Sequence, residues 1–244
     1  MKIIQFDSSK MGTEYANGKE SNIFNYRDGN NDVLVKLFKD EVVTEEEANN
    51  KSYREKKTAK LNMLSICKDD ALVTVRGLVF KNNKLIGYTM DKVEGTKVDW
   101  TSKRNEKIIL LKQIRENMLR LNANGIYIGE FDDKNFVVDS TGRVTHLDID
   151  NYSVGGIDFE TKDQYMERFD KTEAPKGLID RYCFNIFTLA LLGNYAVGYT
   201  NLHVMKLPIS MRNRHNNDIL DEMKCLDENY SGKLFKLTRK DEDN

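Results

Sequence analysis

The sequence predicts an α+β fold, in which a strand-rich first part with one main helix precedes a mostly helical second part. Residues 1 to about 92 alternate apolar and polar side chains in short runs, such as 33–38 and 71–80, which is typical of strands. From about residue 100 the apolar positions recur with the helical period of about 3.6. Residues 180–192 are apolar on nearly every face, which predicts a helix buried at the centre of a domain.

The first part is predicted to contain a hairpin and a helix. Residues 71–80 meet residues 84–90 across Lys81-Asn82-Asn83, and asparagine tolerates the positive φ that tight hairpin turns require. The helix is expected to begin near Thr44, because Glu47 stands at the capping-box spacing, and to run through the charged stretch that ends near residue 64.

The second part is predicted to open with a helix and then a second hairpin. The helix has a glycine C-cap at Asn124-Gly125, and residues 135–139 and 143–148 flank the turn Ser140-Thr141-Gly142. Its apolar stripe consists of Leu111, Ile114, Met118 and Leu121. We place the boundary between the two parts at Glu94-Gly95, which gives regions of residues 1–93 and 94–244. The polar tail after Pro208 predicts one or two helices and a frayed end.

Composition argues against several classes of function. The 38 basic and 39 acidic residues nearly cancel, so we expect neither nucleic acid nor membrane as a partner. Cys67, Cys183 and Cys225 lack the paired spacing of a zinc site or a disulfide framework. There is no apolar stretch of signal-peptide or membrane-spanning length, which favours a cytoplasmic location, with delivery into another cell without a cleavable signal as the alternative.

One segment carries a resemblance to a known family. Residues 125–138, GIYIGEFDDKNFVV, resemble the catalytic loop of the eukaryotic-like protein kinase superfamily, in which an acid is followed five residues later by asparagine and then by apolar strand residues. The resemblance implies that Glu130 takes the place of the catalytic aspartate and that Asn135 binds metal. Leu147-Asp148-Ile149-Asp150 is similar to the Asp-Phe-Gly element, which implies that Asp148 also binds Mg²⁺. Phosphotransfer needs oxygen ligands for Mg²⁺ and a carboxylate that orients the acceptor hydroxyl.

The resemblance extends to a nucleotide site in the first part. Residues 16–23 resemble a glycine-rich phosphate loop that keeps only its middle glycine, and they contribute Gly18, Ser21 and Ile23 to the implied cofactor-binding set. Lys36 stands in a strand as the phosphate-clamping lysine, and Glu55 on the following helix is its expected ion-pair partner. A simple hairpin turn at Gly18 is an equally good interpretation of that glycine.

The remaining implied residues concern the adenine and the loop. Residues 90–95 are similar to the kinase hinge, with Met90 as gatekeeper and the backbone of Asp91 and Val93 facing the adenine edge. Val137 belongs to the same cofactor-binding set. Asp180 opens the buried helix and is expected to hold the backbone of the catalytic loop.

Several positions depart from the family pattern. Glu130 is one methylene longer than aspartate, and Asp132 or Asp133 would serve as alternative bases. Lys134 stands four residues after Glu130, where tyrosine kinases carry an arginine, and is assigned to neutralising the transferring phosphate. Leu34 replaces a small residue that usually covers the adenine. A solvated acidic turn is the alternative interpretation of residues 130–133.

The sequence therefore predicts a bilobal, protein-kinase-like fold. The expected function is an ATP- and Mg²⁺-dependent phosphotransferase that acts on Ser or Thr of a protein, with a nucleotide and a protein substrate or binding partner as its ligands. One alternative is a pseudokinase that binds or scaffolds without turnover, and another is a small-molecule kinase. A third is an unrelated α+β protein, in which Lys36 and Asp148 would lie far apart.

Overall fold

A computed structural model describes residues 1–18, 20–39, 51–99, 101–158 and 176–192. They form an α+β structure with a mixed six-stranded sheet and few helices, as the sequence predicts at this level. The strands are β1 (Lys2–Gln5), β2 (Met11–Asn17), β3 (Ser21–Asp28), β4 (Asn31–Phe38), β5 (Val75–Lys81), β6 (Lys84–Met90), β7 (Thr96–Lys97), β8 (Ile126–Tyr127), β9 (Phe136–Val138), β10 (Val144–His146) and β11 (Ser153–Val154). The helices are α1 (Lys51–Ile66), α2 (Arg104–Ala123) and α3 (Lys176–Leu192).

The six-stranded sheet has the order β1-β5-β6-β4-β3-β2. Its neighbours are antiparallel except β1 and β5, which pair in parallel with Lys2 opposite Gly77. The predicted strands at 33–38 and 84–90 are confirmed. The predicted strand at 71–80 begins only at Val75, because the backbone of Ala71 and Val73 is bonded to that of His146 instead.

The two faces of β4 have different neighbours. Successive side chains of a strand point to opposite faces, so the odd and even residues of β4 separate. Val33 and Val35 belong to an apolar cluster on one face, together with Ile4, Tyr26 and Val79. Leu34 and Lys36 lie on the other face. They stand opposite Met90 and Tyr88 of β6, so a charged side chain occupies a largely buried face.

The turn between β5 and β6 is formed as predicted. Asn82 and Asn83 have φ angles of 52° and 61°, the left-handed conformation that suits a two-residue hairpin turn. The second predicted hairpin is also present. Its turn is closed by a 3.0 Å hydrogen bond from the N–H of Asp139 to the carbonyl of Arg143, and β9 pairs with β10 on one side and β7 on the other.

Helix α2 matches its prediction at both its buried side and its end. Leu111, Ile114, Met118 and Leu121 are all buried. The helix stops at Asn124, and Gly125 follows with a φ of 72°, the conformation that glycine adopts at helix C-termini. Among the helices described, none combines the length and the apolar character needed to cross a membrane.

The chain divides into two compact units. Among the described residues, the first comprises those within 1–94, 145–150 and 154–157, and the second comprises those within 95–144, 151–153 and 158–192. The sequence-based boundary assigned all residues after 93 to the second region, whereas in the structure residues 145–150 return to the first unit. The helix start predicted at Thr44 and the tail after Pro208 lie outside the described residues.

Candidate functional site in the first unit

Lys36 makes two ion pairs with acids that lie far away in the sequence. Its ammonium donates to Asp148, 112 residues later, and to Oδ1 of Asp150 at 2.5 Å. The side chain of Lys36 is 8% exposed and that of Asp150 is 4% exposed, whereas 34% of the Asp148 side chain remains exposed. Lys36 and Asp148 are thus in contact, whereas the alternative of an unrelated α+β protein predicts that they lie far apart.

Backbone contacts on both sides hold this pair in register. Lys36 stands opposite Tyr88 in the β4–β6 ladder, and the next residue pair brings Gly87 against β4, where a Cβ atom would overlap the carbonyl oxygen of Lys36. The segment that carries the acids is fixed just before them. The N–H of His146 donates to the carbonyl of Ala71 at 2.7 Å, so Asp148 follows a strand end that is anchored to the first unit.

Asp150 is the most heavily bonded carboxylate of this cluster. Besides Lys36, its Oδ1 accepts a 2.9 Å hydrogen bond from the hydroxyl of Tyr88, and its Oδ2 lies 3.4 Å from the ammonium of Lys57. The ammonium of Lys60 donates to its backbone carbonyl at 3.3 Å. Buried charges are tolerated when they are paired and hydrogen-bonded, and Asp150 meets both conditions.

The two neighbouring acids differ in proton affinity. Burial, reinforced by the adjacent Asp150, raises the pKa of Asp148 to about 7, against the opposing effect of Lys36. Burial alone would also raise the pKa of Asp150, but Lys36 and Lys57 hold that pKa well below its ordinary value. Burial disfavours the charged form of Lys36, yet Asp150, Tyr88 and Asp148 raise its pKa well above the ordinary value. Asp150 and Lys36 are therefore an ionised pair at neutral pH.

Glu55 does not hold the position that the resemblance implies. Its side chain is exposed on α1, in a surface depression that also includes Thr58, Phe80 and Leu85. The ion pairs of Lys36 are instead those with Asp148 and Asp150. The prediction of a Lys36–Glu55 pair is thus wrong in this structure, because Glu55 is exposed while the α1 side chains that reach the cluster, Lys57 and Lys60, contact Asp150.

The segment at Gly18 forms the turn between β2 and β3. The N–H of Gly18 donates to the carbonyl of Ser21 at 2.9 Å, and the ammonium of Lys39 donates to the carbonyl of Gly18 at 2.7 Å. Ser21 is buried at the start of β3, and Ile23 stands opposite Lys36 in the β3–β4 ladder. The hairpin interpretation of Gly18 is therefore confirmed, and its role toward phosphate stays a prediction.

The predicted hinge follows directly after β6. Met90, the last residue of that strand, is buried. The N–H of Asp91 donates to the carbonyl of Thr74 at 3.1 Å, and its carboxylate forms two hydrogen bonds with Arg76 at 2.6 and 2.7 Å. Val93 is half-buried. The backbone N–H of Asp91 is thus already bonded within the protein.

Candidate catalytic loop in the second unit

The loop around Glu130 has a regular local structure. Glu130 is half-buried and follows Gly129, whose φ of 71° suits glycine. Asp132 then caps a short 3-10 helix, Asp133–Asn135, by accepting a 2.9 Å hydrogen bond from the N–H of Lys134. Burial and a hydrogen bond with Asp133 raise the pKa of Asp132. Glu130, Asp132 and Asp133 are each half-buried, so part of every acidic side chain in this turn stays exposed to solvent.

Residues on both sides of Asn135 anchor this loop. Asn135 is half-buried, whereas Phe131 and Phe136 are fully buried and pack on the α3 residues Phe184 and Phe187 with ring centroids 5.4 to 6.4 Å apart. Aromatic pairs at such distances contribute roughly 0.5–1.5 kcal/mol beyond the area that they bury. Phe184 and Phe187 are buried, as expected for the predicted buried helix at 180–192. Asn135 therefore directly precedes a buried, packed aromatic side chain, Phe136.

Val137 is buried in β9 and stands opposite Lys97 of β7. Lys134 is exposed. Within the described residues, no group of three or more His, Cys, Asp and Glu side chains is arranged to hold a metal ion.

No family model matches this chain, and no curated protein matches it either. Its function must accordingly be inferred from its own residues.

Sequence reasoning missed three residues of the Lys36 cluster, namely Tyr88, Lys57 and Asp150. For Asp150 a signal was present. It stands two residues after Asp148, with the apolar Ile149 between them, and this spacing puts two acids on one side of an extended segment. For Tyr88 and Lys57 the chain gives no comparable signal, because both act across elements that are distant in sequence.

Proposed function

We propose that this protein is an ATP- and Mg²⁺-dependent phosphotransferase with a bilobal, protein-kinase-like fold, and that its acceptor is a Ser or Thr hydroxyl of a protein. The observation that carries the proposal is the ion pair between the buried strand residue Lys36 and Asp148. The resemblance assigns the first to the nucleotide phosphates and the second to the metal. A pairing over 112 residues supports that assignment more strongly than either motif does alone.

The hydrogen-bonding capacity of Lys36 supports a role toward phosphate. A lysine ammonium carries three N–H donors. Among the described residues, Asp148 and Asp150 accept from two of them, which leaves one donor for a phosphate oxygen. In this proposal Lys36 binds the α and β phosphates, while Asp150 and Asp148 hold the ammonium in place.

The donor set fits Mg²⁺. This ion takes one or two carboxylates, keeps several waters and bridges substrate phosphates. Asp148 is the acid of the cluster that keeps an exposed part, and Asn135 offers a half-buried amide oxygen. When bound, Mg²⁺ would neutralise charge on the phosphates. Asp148 would hold it in the first unit, and Asn135 is the residue of the second unit that the resemblance assigns to metal.

Glu130 is proposed to orient the acceptor hydroxyl and to accept its proton. The residue is half-buried rather than fully exposed, and the anchored aromatic side chain of Phe131 follows it directly. Lys134 is the exposed cation of the same loop and is assigned to the transferring phosphate. Asp132, with its raised pKa, remains the alternative base.

A pseudokinase, which acts as a binding or scaffolding module without turnover, is the second candidate, and the turn at Gly18 favours it. The ammonium of Lys39 is bonded to the side-chain oxygen of Asn17 at 2.9 Å and to the carbonyl of Gly18. Lys39 therefore stabilises the turn by bonding to two of its own residues. A phosphate would have to compete for that lysine or bind the turn through other groups.

Transfer of label from γ-labelled ATP in the presence of Mg²⁺ tests both candidates. We expect the purified protein to label itself or a generic protein acceptor, and Asp148→Ala to abolish labelling while remaining folded, because Lys36 keeps Asp150. Asp32→Asn is the matched control, since Asp32 is an exposed acid on β4, the strand that carries Lys36. Binding of ATP without transfer would favour the second candidate. Absence of both binding and transfer would refute the proposal.

A further inference from the structure

We propose that Asp150 is the positioning residue of Lys36, taking the part that the resemblance gives to an acid on the helix, and that α1 contributes to the clamp through Lys57. The inference rests on the proposed nucleotide function. Asp150, and not an acid of α1, would then align the phosphate-binding lysine.

The contacts of Asp150 are those of a residue that fixes its neighbours. One oxygen accepts from Lys36 at 2.5 Å and from the Tyr88 hydroxyl at 2.9 Å, and the other lies 3.4 Å from the ammonium of Lys57. The residue is 3% exposed. Charge-assisted hydrogen bonds in a site with little water are short and directional, so Lys36 has little freedom to leave this geometry.

Helix α1 presents bases, not an acid, to this cluster. Lys57 and Lys60 are buried and reach Asp150, whereas Glu55 is exposed. Residues two apart on an α-helix are separated by about 200° around its axis, so Glu55 and Lys57 cannot face the same side. With Lys57 directed at Asp150, Glu55 is directed away from Lys36.

In this arrangement one short segment, residues 148–150, supplies both the proposed metal ligand and the acid that positions Lys36. Asp148 and Asp150 are two residues apart and both contact Lys36. Here the segment 148–150 sets both groups at once, and the clamp forms without a carboxylate from α1.

Comparison of the affinities for ADP and for adenosine separates the effect of each substitution on phosphate binding from its effect on the rest of the site. Titration calorimetry would measure both ligands with Mg²⁺ for the intact chain and for Asp150→Asn, Tyr88→Phe, Glu55→Gln and the exposed control Asp32→Asn. We expect Asp150→Asn to weaken ADP binding by about 10- to 100-fold, because a hydrogen-bonded charge is lost. Adenosine, which has no phosphates, should bind unchanged, and so should both ligands to Glu55→Gln and Asp32→Asn. A merely structural role for Asp150 would weaken adenosine equally.

Tyr88→Phe keeps the inference testable if Asp150→Asn does not fold. It removes only a hydroxyl that donates to Asp150, and we expect about a 3- to 10-fold loss of ADP affinity with adenosine unchanged. The inference is overturned if Glu55→Gln weakens ADP binding tenfold or more, or if a folded Asp150→Asn or Tyr88→Phe binds ADP as the intact chain does. If the intact chain binds neither ligand, the proposed function itself fails, which is a different result.

Discussion

The backbone N–H of Gly129 donates a 2.7 Å hydrogen bond to the carboxylate of Asp180, 51 residues further along the chain. The N–H of Ile128 donates to the same carboxylate at 2.9 Å. This confirms the expectation that the first aspartate of the buried helix holds the backbone of the loop before Glu130. Burial raises the pKa of Asp180 to about 7, although hydrogen bonds from Ile128, Gly129 and Asn122 oppose the shift.

The stability of the protein is expected to depend on pH through Asp180. Its pKa is raised from 3.8 to about 7, so between these values the folded chain holds a proton that the unfolded chain has released. The stabilisation is complete below about pH 4 and is lost as the pH rises to about 7. At about 1.4 kcal/mol per pH unit, the loss is on the order of 4 kcal/mol.

Urea unfolding from pH 4 to pH 7 would measure this loss as the difference between the intact chain and Asp180→Asn. Asp139→Asn is the control, because hydrogen bonds to Thr141 hold the pKa of Asp139 at about 2. Its contribution is therefore present throughout this range. A difference between the intact chain and Asp180→Asn that does not vary with pH would contradict the assignment.

Lys36 and Asp150 are expected to be strongly coupled in stability. Removal of either charge leaves its buried partner with only one of two counter-charges, Asp148 for Lys36 or Lys57 for Asp150, so Lys36→Met and Asp150→Asn should each destabilise by up to about 3–5 kcal/mol. The double variant should lose less than the sum, with a coupling of about 1–3 kcal/mol. Denaturant unfolding of all four proteins provides the cycle.

The exposed pair of Arg76 and Asp91 is the matched comparison for that cycle, since it also has two short hydrogen bonds. Its coupling should be under about 1 kcal/mol and should fall as salt is added. Equal coupling in the two pairs would show that burial of the Lys36 cluster has no energetic effect.

Glu130→Gln should lower phosphate transfer by about 100-fold or more, because an amide cannot accept the proton of the acceptor. The affinity for ADP should stay unchanged, since Glu130 is assigned to the acceptor and not to the nucleotide. Measurement of kcat together with the dissociation constant of ADP separates the two effects. If Asp132→Asn abolishes transfer and Glu130→Gln does not, Asp132 is the base.

The hairpin turn at Asn83 offers a test of the sheet. Asn83→Val should destabilise by about 1–2 kcal/mol, because a branched side chain is disfavoured at a φ of 61°, whereas Asn83→Gly should be neutral or stabilising. Thermal unfolding would show the order Gly, Asn, Val. Asn31→Val, in the extended backbone of β4, is the control and should have little effect. A reversed order would place the turn elsewhere.

The parts of the fold that depend on nearby residues could be predicted from the sequence. The buried side of α2, the cap at Gly125 and the turn at Asn82-Asn83 follow from the local period of apolar residues and from the φ preferences of glycine and asparagine. Each of these features depends on residues that are close together in the sequence, and for this reason it could be predicted.

The composition of the Lys36 cluster could be predicted only in part. The order of motifs suggested Lys36 and Asp148, but the choice of Glu55 as a partner depended on which side of α1 faces the sheet. That side is set by packing of the helix, and the buried lysines Lys57 and Lys60 run against the usual expectation that lysine lies at the surface. Likewise, nothing local indicates that β1 pairs with β5, since Lys2 and Gly77 meet only after the chain has folded.

The return of residues 145–150 to the first unit has a consequence for folding during translation. When the ribosome has completed only the first 94 residues, the strand lysine and the helix lysines of the cluster have been synthesised but their acids have not. Burying the ammonium of Lys36 without Asp148 and Asp150 is costly, so this face of the nascent sheet cannot reach its final packing at that stage. The first unit reaches its final structure only once the second hairpin has left the exit tunnel, and a fragment that ends at the unit boundary would remain incompletely folded.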